Sequence, residues 1–473
     1  MIAGYAAQAS IWPGQRLLLH VSTDAARFRV ALYRWAGRLV HMLTSNWMGG
    51  ERWPERAADQ DWQWPQYSIG TGAGWPSGVY IAHLQEPEAG PPHVAMQKAA
   101  VLFVVRGHGL STLLYKIPLA TYNAYNFSGG GCFYANPPRC AEPPGAKLTF
   151  RRPGGGIGGP TFGATDHYDL ASPRQTFAHW DARFIDWLLR QGYAPDFCTD
   201  LDIHADPGLL RNYRLLLSVG HDEYWSEPMR DGVETYIARG GNAAFFSANL
   251  CWWRVHLIDD GGAMVCHQGG PQGALDHWWP PHGAARPEDS LAGVSYRHGG
   301  GWWDGPRDST GFAVQDAGHW IFAGTGLRNG DRFGVGTTPP LVGYECDGAP
   351  LAAFNAESGL ATLVPTAALC GTPPQFHLLA ASPLDARWQE RPQREAHAAA
   401  GGIHAATMGI IAREGTVFTA GTTDWAQVLG TGQDDRVDRI TSNVIEGLLH
   451  GGGARRSLRA GPEANRTLKV LPT

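Results

Sequence analysis

A compact run of ionisable side chains stands at Gly220-His221-Asp222-Glu223-Tyr224-Trp225, where a buried strand is expected to end. His221 and Glu223 stand two residues apart, and in extended backbone that spacing turns both side chains to one side. An imidazole and a carboxylate sharing a side can bind a metal, exchange protons as acid and base, or cap a following helix, and the residues alone leave all three open. A second polar group, Tyr122-Asn123-Ala124-Tyr125-Asn126, leads through Gly129 to Gly131 into Cys132-Phe133-Tyr134. Tyrosines in such a setting more often belong to an amphipathic core with a satisfied hydroxyl. No G-x-S-x-G, H-E-x-x-H, G-x-x-x-x-G-K-[ST] or strand-to-helix G-x-G-x-x-G pattern is present, so serine-hydrolase, zincin, P-loop and dinucleotide-binding chemistry lack their usual signatures. His108, His204, His256, His267, His277, His282, His298 and His319 lack paired spacing, and none is assigned to metal.

The elements that must position these groups follow from periodicity. Residues 214–219 read as a buried strand running into His221, Ser226 can cap a helix with Pro228 in its first turn, and residues 242–247 form the next strand after Gly240-Gly241. This is a β-α-β crossover, and it sets the loops at 220–225 and 248–253 on one rim, the place where parallel sheets bind ligands. Phe177, Trp180, Phe184, Ile185 and Leu188 recur at helical spacing and predict a helix over 176–191. A strand at 416–420 and a helix at 437–449 close the unit. Near the N-terminus, 16–22, 27–35, 78–84 and 99–106 alternate as half-buried strands, which suggests a β-sandwich over 1–106. The expected organisation is that sandwich, an α/β unit over 107–450 with a Trp/Gly-rich insertion at about 255–320, and a tail over 451–473. A glycine run at 153–160 is expected to widen or loosen the entrance to the cleft.

At 473 residues, 43% hydrophobic and 17% charged, the chain is globular rather than disordered. A formal charge of −5 gives no global field for phosphates, so nucleic acid is not an expected partner. Without a long apolar run or a signal-like start, the expectation is no membrane association and a cytoplasmic location. Seven cysteines without a CxxC pair argue against both a disulfide framework and a zinc ribbon.

The ordered series AYN-x-x-GG-x-x-x-Y at 124–134, TDLDIH at 199–204, GHDEYWS at 220–226, SANLCWW at 247–253, GTGLRNGDR at 324–332, LVGYECD at 341–347 and AGTTDWA at 420–426 resembles the C-terminal region of the N,N-dimethylformamidase large (β) subunit family. The N-terminal segment resembles single-chain relatives. The resemblance implies a glutamine-amidotransferase-like (flavodoxin-like) parallel-sheet domain and a mononuclear ferric (Fe3+) centre. Tyr125, Tyr134 and Glu223 would be its ligands, with Tyr122 and Tyr168 as alternatives to Tyr134. It also implies supporting catalytic roles for His221, Asn249 and Glu345 and a small amide or formamide as substrate. The chain shows no evident counterpart of the family enzyme's small subunit, so either the N-terminal sandwich takes its place or the protein self-associates as a homo-oligomer. Two phenols become ligands at neutral pH only beside a hard, highly charged cation, and two phenolates with one carboxylate balance a trivalent ion. The competing expectations are an amide hydrolase with another metal such as zinc, and a non-enzymatic sugar-binding module using Trp252-Trp253, Trp278-Trp279 and Trp302-Trp303 as a groove.

Overall fold

The computed structural model describes residues 1–88, 90–93, 99–140, 145–268, 275–281, 283–388 and 402–451. His282 and all but the first residue of the expected tail lie outside them. The alternating N-terminal segments build two sheets. Ile2–Ala6, Leu17–Thr23 and Gln66–Ile69 form a three-stranded antiparallel sheet. Ser10–Ile11, Ala100–Val105, Gly78–Gln85, Arg27–Trp35 and Leu39–Thr44 follow one another across a second, with Met48–Gly49 also on Arg27–Trp35. Leu17, Leu19 and Val21 of the first meet Phe28, Val30, Leu32 and Tyr80 of the second in one buried cluster. Along Ala100–Val105 the side chains alternate as a strand requires. Val101, Phe103 and Val105 face that cluster, while Ala100, Leu102 and Val104 face the core of the rest of the chain.

The remainder is α/β, built on a nine-stranded sheet in the order Asp196–Thr199, Leu113–Ile117, Leu215–His221, Asn242–Ala248, Thr416–Thr419, Ala405–Ala412, Phe376–Pro383, Phe312–Val314 and Arg332–Phe333. Its first five strands are parallel and the rest antiparallel. The parallel-sheet expectation is thereby corrected in part: Ala405–Ala412 turns back directly into Thr416–Thr419, and a short reversal can join only antiparallel neighbours. Asp181–Arg190 and Asp435–His450 pack on one face through Phe184, Ile185, Leu188, Val437, Ile440 and Val444. Glu227–Ala238 covers the other through Met229, Val233 and Ile237. Ser226 caps this helix by accepting from Met229 N–H at 3.3 Å, with Pro228 in the first turn. The helix expected from 176 begins at Asp181, because the preceding chain turns with Gln175 at φ +60.

The stretch at 255–320 is more regular than its sequence suggests. His256–Ile258 and Ala263–Cys266 join Gly145–Thr149 and Arg139–Cys140 in a four-stranded sheet, Ser295–Gly301 pairs with Glu345–Gly348, and Phe312–Val314 returns to the main sheet. Of the three tryptophan pairs, Trp252, Trp253 and Trp279 gather on the ring of His277, Trp278 is fully buried beneath Arg230, and Trp302 packs on Trp388. The glycine run is packed rather than loose, since a Cβ on Gly158, at φ +88, would meet the Ala100 carbonyl at 1.9 Å.

Candidate metal centre and its polar surround

Leu215–His221 and Asn242–Ala248 end level, His221 opposite Ala248, so the residues after each strand leave the sheet at one rim. Gly220 has φ +72, and a Cβ there would sit 2.7 Å from Trp180, which makes glycine the residue that fits. The helix Leu119–Tyr125 lies against the next turn: Thr121 Oγ1 accepts from Glu223 N–H at 2.9 Å and from Tyr224 N–H at 3.2 Å. Tyr125, the last residue of that helix, thereby reaches Glu223. Its hydroxyl donates to Glu223 Oε2 at 2.9 Å, and that of Tyr134, from the loop beyond, donates to Oε1 at 2.6 Å. The two rings stack with centroids 4.4 Å apart. Asp222 points away from this group. It forms a buried ion pair with Lys116 and accepts from Ser218 Oγ at 2.5 Å and Trp225 Nε1 at 3.0 Å.

His221 Nε2 lies 2.8 Å from Glu345 Oε2 and 3.4 Å from Glu223 Oε2. Its Nδ1 meets Gln175 Oε1 at 2.8 Å, so Nδ1 carries a proton and Nε2 faces the carboxylates. Glu345 also accepts from Asn249 Nδ2 at 3.2 Å and Trp303 Nε1 at 3.0 Å. Asn249, at φ +48, is held by its backbone N–H on Asp347 Oδ1 at 2.8 Å.

Burial, joined by the charge of Glu345, pushes the Glu223 carboxyl up to about 7 against the pull of His221. Burial first, then Glu223, raises the phenols of Tyr125 and Tyr134 well above their ordinary range. Burial opposes charge on both His221 and Glu345, but each prevails on the other: the imidazole is raised and the carboxyl lowered. Phenols this weakly acidic release their protons only to a strongly charged cation in the proton's place. Three hard oxygen donors on one point suit such a cation. Asn249 Oδ1, buried without a hydrogen-bond partner among the described residues, also suits a polar occupant beside it. Tyr134 as a residue is 37% exposed, its hydroxyl turned inward to Glu223, and its ring stacks on Phe162, 41% exposed, so the cluster opens to solvent on that side.

All six residues singled out from the sequence therefore meet in one cluster. The alternatives to Tyr134 lie elsewhere: Tyr122 donates to Asp181, and the Tyr168 hydroxyl is engaged with the backbone of Arg307. Gln175, Tyr224, Trp303 and Tyr344 border the cluster without having been anticipated. For two of them a signal existed, since Tyr224 and Tyr344 each directly precede or follow a carboxylate of the centre. A separate group, His256, His267 and Asp276, has ligand atoms all within 4.8 Å of one another and can hold a metal ion. Spacing along the chain concealed it because the three come from different strands and loops. Asp276 there also accepts from Arg254 Nε at 2.9 Å. Among the described residues no helix is long and apolar enough to cross a membrane.

A model of the family described as N,N-dimethylformamidase beta subunit-like, C-terminal, matches residues 29–438. The chain is 37% identical over 79 residues to an N,N-dimethylformamidase beta subunit of Alcaligenes sp, and 36% identical over 78 residues to that of Paracoccus aminophilus. Each alignment covers 16% of this chain and 10% of the relative, so the aligned stretch spans about a tenth of either relative's length.

Proposed function

Since the chain belongs to the N,N-dimethylformamidase beta subunit-like, C-terminal family, we propose that it is an iron-dependent hydrolase of small amides or formamides, with Tyr125, Tyr134 and Glu223 as the residues that would hold the metal. The observation that carries this reading is the meeting of two tyrosine hydroxyls on one buried carboxylate, at 2.9 and 2.6 Å. The first five strands of the main sheet, numbered by chain position, run 2-1-3-4-5, which supports a flavodoxin-like reading of the domain.

A bound ferric ion supplies Lewis-acid polarisation of the amide carbonyl. The chain's own residues handle the protons. Glu345, kept ionised by His221, accepts the proton that an attacking water gives up. His221 delivers a proton from Nε2 to the departing nitrogen, its Nδ1 being held by Gln175. Asn249 spends one amide N–H on Glu345 and keeps the other for the oxygen that gains charge at the carbonyl. Overall, one amide and one water give one carboxylic acid and one amine.

The test is iron analysis and a visible spectrum of the purified protein, with N,N-dimethylformamide assayed for release of dimethylamine and formate. Wild-type protein is expected to hold iron, to show tyrosinate-to-iron absorption and to turn over an amide of this class. Glu223→Ala is expected to lose all three. An iron-replete, fully active Glu223→Ala protein contradicts the reading, as does a wild-type enzyme fully active without iron.

A further inference from the structure

Tyr224 follows Glu223 directly and its side chain is fully buried. Its hydroxyl lies 2.7 Å from the hydroxyl of Tyr134, whose own proton is directed to Glu223. On its other side stands Gln268. The indole N–H of Trp253 can only donate, so it draws the Gln268 amide oxygen toward it at 3.3 Å, and the same oxygen then faces the Tyr224 hydroxyl at 2.8 Å. Tyr224 thus has one proton and two acceptors, Gln268 and Tyr134. Their pull becomes unequal once Tyr134 has lost its proton, because a hydrogen bond to an ionised oxygen is about twice as strong as one between neutral groups. Tyr125 differs: among the described residues its hydroxyl makes one hydrogen bond, to Glu223, and receives none.

We propose that Tyr224 is a positioning residue of the metal centre, a buried hydrogen-bond donor that draws electron density from the Tyr134 phenolate oxygen and so makes the metal held there more electrophilic, with Gln268 as its competing acceptor. This rests on Tyr125, Tyr134 and Glu223 being the ligands. The inequality of the two phenolates is the consequence: the Tyr134 oxygen gives less charge to the metal than the Tyr125 oxygen, and the chemistry of outer partners tuning a ligand is general.

The two neighbours predict spectral shifts of opposite sign in the iron-loaded protein. Tyr224→Phe keeps the ring, which packs 5.4 Å from Phe133, and removes the proton. Iron is expected to be retained while the tyrosinate-to-iron absorption moves to longer wavelength, since a phenolate without a donor gives up an electron more easily. Gln268→Leu removes the competitor, commits the Tyr224 proton to Tyr134, and is expected to move the absorption to shorter wavelength. A band unmoved in both iron-replete variants overturns the role of Tyr224 while leaving the ligand set intact. No tyrosinate band in iron-loaded wild-type protein overturns the ligand set itself, and this proposal with it. Should Tyr224→Phe fail to load iron, the Gln268→Leu spectrum decides: a shift to shorter wavelength supports the proposal and an unmoved band ends it.

Discussion

In the proposed mechanism His221 acts through its orientation, and the contact with Gln175 Oε1 at 2.8 Å sets that orientation. Gln175 is 1% exposed, takes φ +60, accepts from His221 Nδ1 and donates to the Tyr344 hydroxyl. A side chain other than glycine in the left-handed region costs on the order of 1–3 kcal/mol, so the fold holds this conformation against a local preference. With Nδ1 occupied, the only ring nitrogen free to exchange a proton is Nε2, which faces Glu345 at 2.8 Å. Gln175→Leu leaves Nδ1–H without its acceptor and lets the ring turn. Turnover is expected to fall about 10–100-fold with iron content unchanged, a part of the roughly 100–10,000-fold that a positioned acid or base supplies. Gln175→Glu, which keeps an acceptor, is expected to recover most of the loss. Steady-state kinetics with iron analysis on the same samples checks both, and an unaltered turnover in Gln175→Leu would show that the contact holds nothing.

Between neighbouring strands, Lys116 at the end of Leu113–Ile117 and Asp222 beyond Leu215–His221 form an ion pair at 2% and 0% exposure. The ammonium also lies 4.2 Å from the Trp225 ring centroid. Removing one member of such a pair strands a buried charge at a cost of about 3–5 kcal/mol. Lys116→Met is therefore expected to lower the free energy of unfolding by that amount, measured by urea titration at pH 7. Lys116→Met with Asp222→Asn should lose much less. The alternation that sends Asp222 to Lys116 sends His221 and Glu223 to the side of Glu345 and Tyr125, and this part of the site was legible because period two is a local rule that a strand exit obeys. The caps at Ser226 and the crossover were legible for the same reason. The trio of Tyr125, Tyr134 and Glu223 came from motif resemblance, because nothing local says which tyrosine closes on a carboxylate 89 residues away. Gln175 and Trp303 were hidden because their contacts with His221 and Glu345 span 46 and 42 residues. The antiparallel half of the main sheet was hidden because Ala405–Ala412 and Phe376–Pro383 were not anticipated as strands, and the direction of a strand follows from its partner, not from its own composition.

Over the whole molecule, the N-terminal two-sheet unit and the α/β part share a core. Val79, Ile81, Leu102 and Val104 from the former belong to the same buried cluster as Tyr115, Phe177 and Trp180. Polar ties add to it: Trp35 Nε1 donates to the Ala182 carbonyl at 3.0 Å, and Asp202 accepts from Ser10 Oγ at 2.5 Å and pairs with Arg106 at 3.2 Å. A cavity of about 690 Å³, bordered by Ser10, Arg106, Asn123 and Asp202, interrupts the seam without separating its apolar part. Because the strand Ala100–Val105 gives alternate side chains to both cores, neither can lose its packing while the other keeps all of its own. Calorimetry of the full chain is expected to give one cooperative transition, and the visible band of the iron-loaded protein should vanish at the same temperature. Leu102→Ala, on the α/β side of that strand, is expected to cost about 2–5 kcal/mol and to move the single transition as a whole. Two resolved heat peaks, with the band surviving the first, would instead mean that the seam is a contact between units that unfold independently.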